Sequence, residues 1–266
     1  RIETRSDRLV TIAVLPMMSC AGRLPIYMMF VSALFPSRLQ APVLFGIYAS
    51  GVLLALCCAR LLKNTLFKAP QRDSLHHMKR LRLPSLRKVG ILMWSRAFMY
   101  VRKAGTFILG ASIILWFLNT YPRPEENTAP TNAAAMEHSY AGQIGHWMEP
   151  VTQVAGFDWK INSALVGAFA AKEIFVTQMG ILYAVEDGNS GPAAQQTLNA
   201  RLKASYTPLQ GISIMIFCLI ALPCIGTVTV AKREAGTWWF ALAQFGGLTL
   251  LGFATATLIY QAGLLL

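Results

Sequence analysis

The chain carries more unbroken apolar sequence than a water-soluble fold can use. Six apolar runs lie at 9–35, 40–62, 104–120, 161–185, 208–231 and 237–263 of its 266 residues. A helix needs about 20 mostly apolar residues to cross a bilayer, and most of these runs reach that length. They are solid blocks, without the one-sided periodicity of a surface helix. Charged residues make up 14% of the chain, against about a quarter in ordinary soluble domains. The first run is too long for a signal peptide and leads directly into the second. The expected fold class is therefore all-α: a polytopic helical membrane protein with about five to six membrane segments, some broken or re-entrant.

Charge sorts by loop. Half of the 24 Lys and Arg residues fall between Arg60 and Lys103, where Asp73 is the one acid. From Tyr121 to Asp158, Arg123 stands against five acids. The positive-inside rule puts the first stretch in the cytoplasm and the second outside. Anionic lipid headgroups are the expected partner of the basic stretch, not nucleic acid. The orientation meets one conflict. If the runs at 161–185 and 208–231 both cross, the basic Lys232-Arg233-Glu234 turn falls outside; one re-entrant segment would return it inside. Residues 122–135 read as a polar, proline-bearing loop, and residues 136–154 as an interfacial amphipathic helix with Trp147 at headgroup level. The implied organisation is membrane segments over 1–63, a basic cytoplasmic loop over 64–103, and a second membrane domain over 104–266 with an external loop at 121–160.

Three runs contain residues that a membrane segment tolerates poorly. In "LPMMSCAGRLPIY", Leu15 to Tyr27, Pro16 and Pro25 each remove a backbone donor and Gly22 loosens the chain between them. A discontinuous helix is expected there, with unpaired carbonyls near Met17 to Gly22 and Cys20 beside them, a combination that suits a cation. Arg23 at that depth needs a cavity or a carboxylate partner. In "LVGAFAAKEIFVTQMG", Leu165 to Gly180, Lys172 and Glu173 interrupt an apolar helix. Glu173 shares a stripe of small and polar residues with Ala170, Thr177 and Gly180. In "LPCIGTVTVAKRE", Leu222 to Glu234, Pro223 and Gly226 bracket Cys224. Two Pro-Cys-Gly neighbourhoods suggest facing broken helices around one site, and thiolate ligands favour Fe(II), Zn(II) or Cu(I) over Mg(II). Cys20, Glu173 and Cys224 are the candidate metal residues, with Arg23 and Lys172 as charge partners or gating residues. Each feature also has a plainer reading: a bent structural helix with Arg23 snorkelling, and a boundary ion pair at Lys172-Glu173. The five cysteines all lie in apolar runs without a CxxC pair, so neither disulfides nor a structural zinc site is expected. Cys57, Cys58 and Cys218 read as small buried hydrophobes.

The stretches "DRLVTIAVLPMMSCAGRLPIYMMFVSALFP", "GFDWKINSALVGAFAAKEIFVTQMGILY" and "LPCIGTVTVAKREAGTWWFAL" resemble, in order, the C-terminal membrane half of the ferrous iron transport protein B (FeoB) family. "RKAGTFILGASIILWFL" looks like the start of that family's second Gate domain, and "IGHWMEPVTQVAGFDWK" is similar to the loop before its next helix. The resemblance covers nearly the whole chain. It implies a multi-pass protein of the bacterial inner membrane that takes up Fe(II) as transported substrate. GTP would act only through an N-terminal domain; no GxxxxGK[ST] occurs in this sequence, so no enzyme activity is expected of this chain. The opening RIETRSDR reads as a connector, so the chain is expected to be the downstream part of a larger protein. Its expected partners are the GTPase and first Gate regions of that protein, small accessory Feo proteins, membrane lipids and further copies of itself in a homo-oligomer. The competing functions are a Gate-type permease for another substrate, such as a nucleoside, and a non-transporting membrane assembly module. No HExxH or GxSxG supports an intramembrane enzyme.

Overall fold

The computed structural model describes residues 5–18, 20–65, 85–122, 137–184, 192–221 and 223–265. The basic stretch 66–84 and the polar stretch 123–136 lie outside them. Among the described residues every regular element is a helix.

The first apolar run is a broken span. Helix α1 (Arg5–Val14) ends in a 3-10 turn at Leu15–Met17. A second 3-10 turn, Ala21–Arg23, leads into α2 (Leu24–Leu34). Pro16 and Pro25 each sit in the first turn of a new element, where a missing N–H costs least. Helix α3 (Ser37–Thr65) is continuous, with Pro42 near its start. The SRLQ segment is its first turn, and the chain reverses at Phe35-Pro36. Helix α4 (Leu86–Thr120) is 35 residues long. The basic stretch is therefore not loop throughout: from Leu86 to Lys103 it is helical, because good helix formers such as Leu92, Met93 and Ala97 extend the apolar helix backwards.

The run at 161–185 is not one long helix but doubles back on itself. It forms α6 (Trp159–Ala170) and α7 (Lys172–Ala184), of 12 and 13 residues, joined through Ala171 in extended conformation. Each leg is about 20 Å long at ~1.5 Å per residue, too short for a ~30 Å core. The legs lie side by side: Gln178 Nε2 donates to Ser163 Oγ (3.5 Å), and Gly167 packs against Ile174. This doubled-back pair has the form of the re-entrant segment that the charge pattern calls for. Before it comes α5 (Tyr140–Thr152), capped by Ser139 and with Trp147 exposed. After it come α8 (Pro192–Ser205), α9 (Pro208–Ile220), a break at Ala221–Cys224, α10 (Ile225–Ala235) and α11 (Trp238–Leu265).

Among the described residues, four helical spans are long and apolar enough to cross a membrane: Asp7–Leu34, Ser37–Thr65, Pro208–Ala235 and Trp238–Leu265. A shorter apolar stretch, Leu109–Thr120, ends α4. Polar contacts define the two ends of the bundle. At one end Arg8 pairs with Glu234 (3.9 Å) and Lys63 with Asp7 (3.3 Å). At the other, Tyr140 N donates to Tyr121 O, Ser32 lies 3.5 Å from Asn199, and Gln261 Nε2 donates to Val154 O. The Lys232-Arg233-Glu234 turn thus shares an end with the N-terminal helix and with Lys63, which leads into the basic stretch.

The base of the hairpin closes at the second end. Asp158 caps α6 by accepting from Ile161 N (2.9 Å) and also accepts from Tyr206 OH (2.8 Å). Tyr206 OH meets Tyr183 OH at 3.0 Å. This chain joins the start of α6, the end of α7 and the entry to α9. Burial raises the Asp158 carboxyl above its usual range, against the lowering effect of these hydrogen bonds and Lys160. Burial also raises the Tyr206 hydroxyl, and the nearby Asp158 charge adds to it.

Candidate functional site: three backbone breaks at one depth

Both broken spans are interrupted near their centres, at Leu15–Arg23 of Asp7–Leu34 and at Ala221–Cys224 of Pro208–Ala235. The hairpin tip, Ala171 to Glu173, reaches both. Lys172 Nζ donates to Cys218 O (3.1 Å) and Ala221 O (3.3 Å) at the C-terminal end of α9. The Glu173 carboxylate lies over Gly22: a Cβ on Gly22 would come 2.8 Å from Glu173 Oε1. One two-residue step in the hairpin therefore bridges the two breaks.

The sequence-predicted residues divide by environment. Arg23 is 2% exposed and Lys172 6%, whereas Glu173 and Cys20 are exposed and Cys224 is half-buried. Cys20 precedes the turn into α2, and Cys224 is the N-cap of α10, with Sγ 3.3 Å from Thr227 Oγ1. Arg23, Cys20, Cys218 and Cys224 all lie within electrostatic reach of Lys172. None of the ion pairs among the described residues includes Arg23, Lys172 or Glu173. Among those residues, no three His, Cys, Asp or Glu side chains gather closely enough to hold a metal ion. Cys57 and Cys58 lie in the unbroken α3. Cys218 is buried as expected, whereas Cys58 is half-buried and Cys57 is exposed, contrary to the reading of all three as buried hydrophobes.

The sequence suggests unpaired carbonyls near Met17 to Gly22; two of these, Met18 O and Cys20 O, have donors. Arg23 Nη1 donates to Met18 O (3.4 Å), and Arg23 N donates to Cys20 O. Gln244 Nε2 of α11 donates to Ile12 O (2.8 Å) and Ala13 O (3.3 Å). Buried acceptors left open cost about 1–3 kcal/mol each, so these side chains are placed where the interrupted helix needs donors. Sequence reading passed over Gln244; an amide inside a 28-residue apolar helix is the signal that points to it. It also passed over Asn119 and Gln178, whose side-chain amides exchange hydrogen bonds at 2.9 and 2.8 Å and tie α4 to α7.

Broken spans, a doubled-back helical hairpin and polar groups at the breaks define the class: a multi-pass helical membrane protein. The chain matches the Gate family, described as nucleoside recognition, over residues 101–238, and the family described as ferrous iron transport protein B C terminus over residues 44–96. It is 34% identical over 99% of its length to a Fe(2+) transport protein A/Fe(2+) transporter FeoB fusion protein of Porphyromonas gingivalis, covering 35% of that protein. It is 35% identical over 92% of its length to a Fe(2+) transporter FeoB of Campylobacter jejuni, covering 40% of it. With the Helicobacter pylori Fe(2+) transporter FeoB it shares 30% identity, covering 45%. The chain belongs to the FeoB family. It spans less than half the length of these curated relatives. No solved structure matches it.

Proposed function

We propose that this chain forms part of the permeation pathway of a bacterial inner-membrane Fe(II) uptake transporter. The metal would pass between the two broken spans and the hairpin tip. Cys20, Glu173 and Cys224 line it in this reading, and Arg23 and Lys172 set its charge. The observation that carries the reading is that one hairpin brings Lys172 to the second break and Glu173 to the first. A carboxylate and two thiols are a donor set suited to a borderline-soft divalent metal. The relatives' names supply the metal. GTP would act through a region of the full-length protein outside this chain, and the basic stretch would face the cytoplasm. Accessory Feo proteins and a homo-oligomer belong to the same proposal.

The Gate description favours a second reading, a nucleoside permease. Proteoliposomes bearing the full-length protein decide between them. Radiolabelled Fe(II), kept reduced, should accumulate and radiolabelled nucleoside should not. Cys20→Ala and Cys224→Ala should each cut Fe(II) uptake, and Cys57→Ala and Cys58→Ala should leave it near wild type. Equal effects across the four at matched protein would remove the thiols from the path.

A further inference from the structure

The C-terminal end of a helix broken in mid-membrane is a ready site for a dehydrated monovalent cation. It offers oxygen donors and the negative end of the helix dipole, away from bulk water. In this protein that end of α9 is already filled. Lys172 Nζ lies 3.1 Å from Cys218 O and 3.3 Å from Ala221 O. The side chain is 6% exposed, and none of the ion pairs among the described residues supplies it with a carboxylate. Its partners are the neutral carbonyl dipoles, with the negative end of the α9 helix dipole behind them. Ala221 is fully buried and packs against Gly252 of α11, so this end is a fixed pocket and not a fraying terminus.

The other break repeats the arrangement. Arg23, also buried, donates to Met18 O, and Gln244 covers Ile12 O and Ala13 O. At both breaks the protein's own side chains donate to backbone oxygens: Met18 O, Ile12 O and Ala13 O at the first, Cys218 O and Ala221 O at the second. Cys20, Cys224 and Glu173 stay wholly or partly accessible. Two of these three are sulfur donors, which favour transition metals over alkali ions, while the carbonyls so partnered are the hard donors that alkali ions use.

We propose that Lys172 is a tethered cation. Its ammonium occupies the carbonyl end of α9 and so denies K⁺ and Na⁺ an oxygen site on the path that the divalent metal takes. Selectivity then comes partly from subtraction: the hard site is plugged by a covalently attached ion. The inference rests on the reading that the path runs between the breaks, but its test does not depend on iron.

The experiment is thallous-ion influx, a stand-in for K⁺, into dye-loaded proteoliposomes bearing the full-length protein. Wild type should admit little. Removing the ammonium leaves these two buried carbonyls without their Lys172 donor. A cation that recovers them should raise influx by about tenfold or more in K172M, because ~1.4 kcal/mol is tenfold in occupancy. K172R, which keeps a charge there, should stay near wild type. K172Q, shorter and uncharged, should leak and serves if K172M does not insert. Inserted, monodisperse K172M or K172Q with wild-type influx overturns the proposal. Failure of both to insert would make Lys172 a structural tether and overturns it too. Fe(II) uptake in the same vesicles separates the two ideas: a leak in K172M beside a wild type that never takes up iron would sink the transport reading alone.

Discussion

Gly22→Ala separates the position of Glu173 from the stability of the fold. Gly22 lies in a 3-10 turn and has no positive φ, so alanine meets no backbone objection. The added Cβ would stand 2.8 Å from Glu173 Oε1 and 3.4 Å from Cδ. To restore ordinary contact, the carboxylate must retreat by roughly half an ångström. It is the end of a flexible, exposed side chain, so the retreat costs about 0.5–1.5 kcal/mol in rotamer strain. Restricting the unfolded chain returns about 0.4–1 kcal/mol. Net stability should change by less than about 1 kcal/mol, a shift of a few degrees in Tm at this size. In the proposed path Glu173 meets the metal singly, and disturbing what positions such a ligand costs about 10–100-fold. Fe(II) uptake per folded molecule should therefore fall about tenfold or more. Gly145→Ala is the contrast. Its Cβ would meet Trp159 O, a backbone atom, at 2.5 Å. It should cost about 1–3 kcal/mol as overpacking that the backbone cannot relieve. Thermal unfolding in detergent and uptake are read on the same preparations. Normal uptake by stable Gly22→Ala protein would refute the link between Glu173 placement and transport.

Three other outcomes are expected. Glu173→Gln should keep the protein folded and inserted while cutting Fe(II) uptake strongly; lowered thermal stability with normal uptake per folded molecule would remove Glu173 from the site. The Asp158 carboxyl is raised by burial, so the folded state holds its proton more tightly than the unfolded one. The associated stability is complete below about pH 3.9, the unperturbed value, and is lost as pH rises through the raised folded value. D158N retains an acceptor for Ile161 N but cannot titrate, so the Tm of wild type minus that of D158N should fall as pH rises from 4 to 8; a flat difference would refute it. In a background without native cysteines, an impermeant thiol reagent added outside intact cells should label Lys203→Cys and not Gly236→Cys, and the reverse would invert the topology.

The breaks were legible because proline and glycine act locally. Pro16, Pro25 and Pro223 disrupt a helix whatever surrounds them. The hairpin was legible only as a requirement of charge topology. Its turn falls at Ala171, a residue with no turn preference, and a 25-residue apolar run has the same composition whether it crosses once or doubles back. The Lys172-Glu173 pair marked the place without revealing the reversal. What the sequence hid most fully was the supply of donors. Met18 O and Ala221 O look unpaired when the chain is read in one dimension. Their partners are Arg23, five residues on, and Lys172, forty-nine residues back. Asp158, Tyr183 and Tyr206 stay invisible for the same reason: each is an ordinary loop or helix-end residue until the fold joins them.

That distribution of donors explains why the hairpin carries Lys172 and Glu173 side by side. Burying an ammonium costs several kcal/mol unless close partners offset it. The broken end of α9 offers two carbonyls and the negative end of a helix dipole, so Lys172 needs no carboxylate. Glu173 is thereby released from pairing with its neighbour. On a helix, adjacent residues point about 100° apart, so with Lys172 directed at α9 the next side chain turns towards the other break, where Gly22 leaves room for it. An unpaired carboxylate exposed at that depth is costly in lipid, and a divalent cation is the partner that would offset it. Exchanging the two residues, Lys172→Glu with Glu173→Lys, preserves composition and net charge but would put a carboxylate against the α9 carbonyls. That variant should fail to insert or unfold at much lower temperature, whereas a simple boundary ion pair would tolerate the exchange. Wild-type stability in the exchanged protein would refute the division of labour between the two side chains.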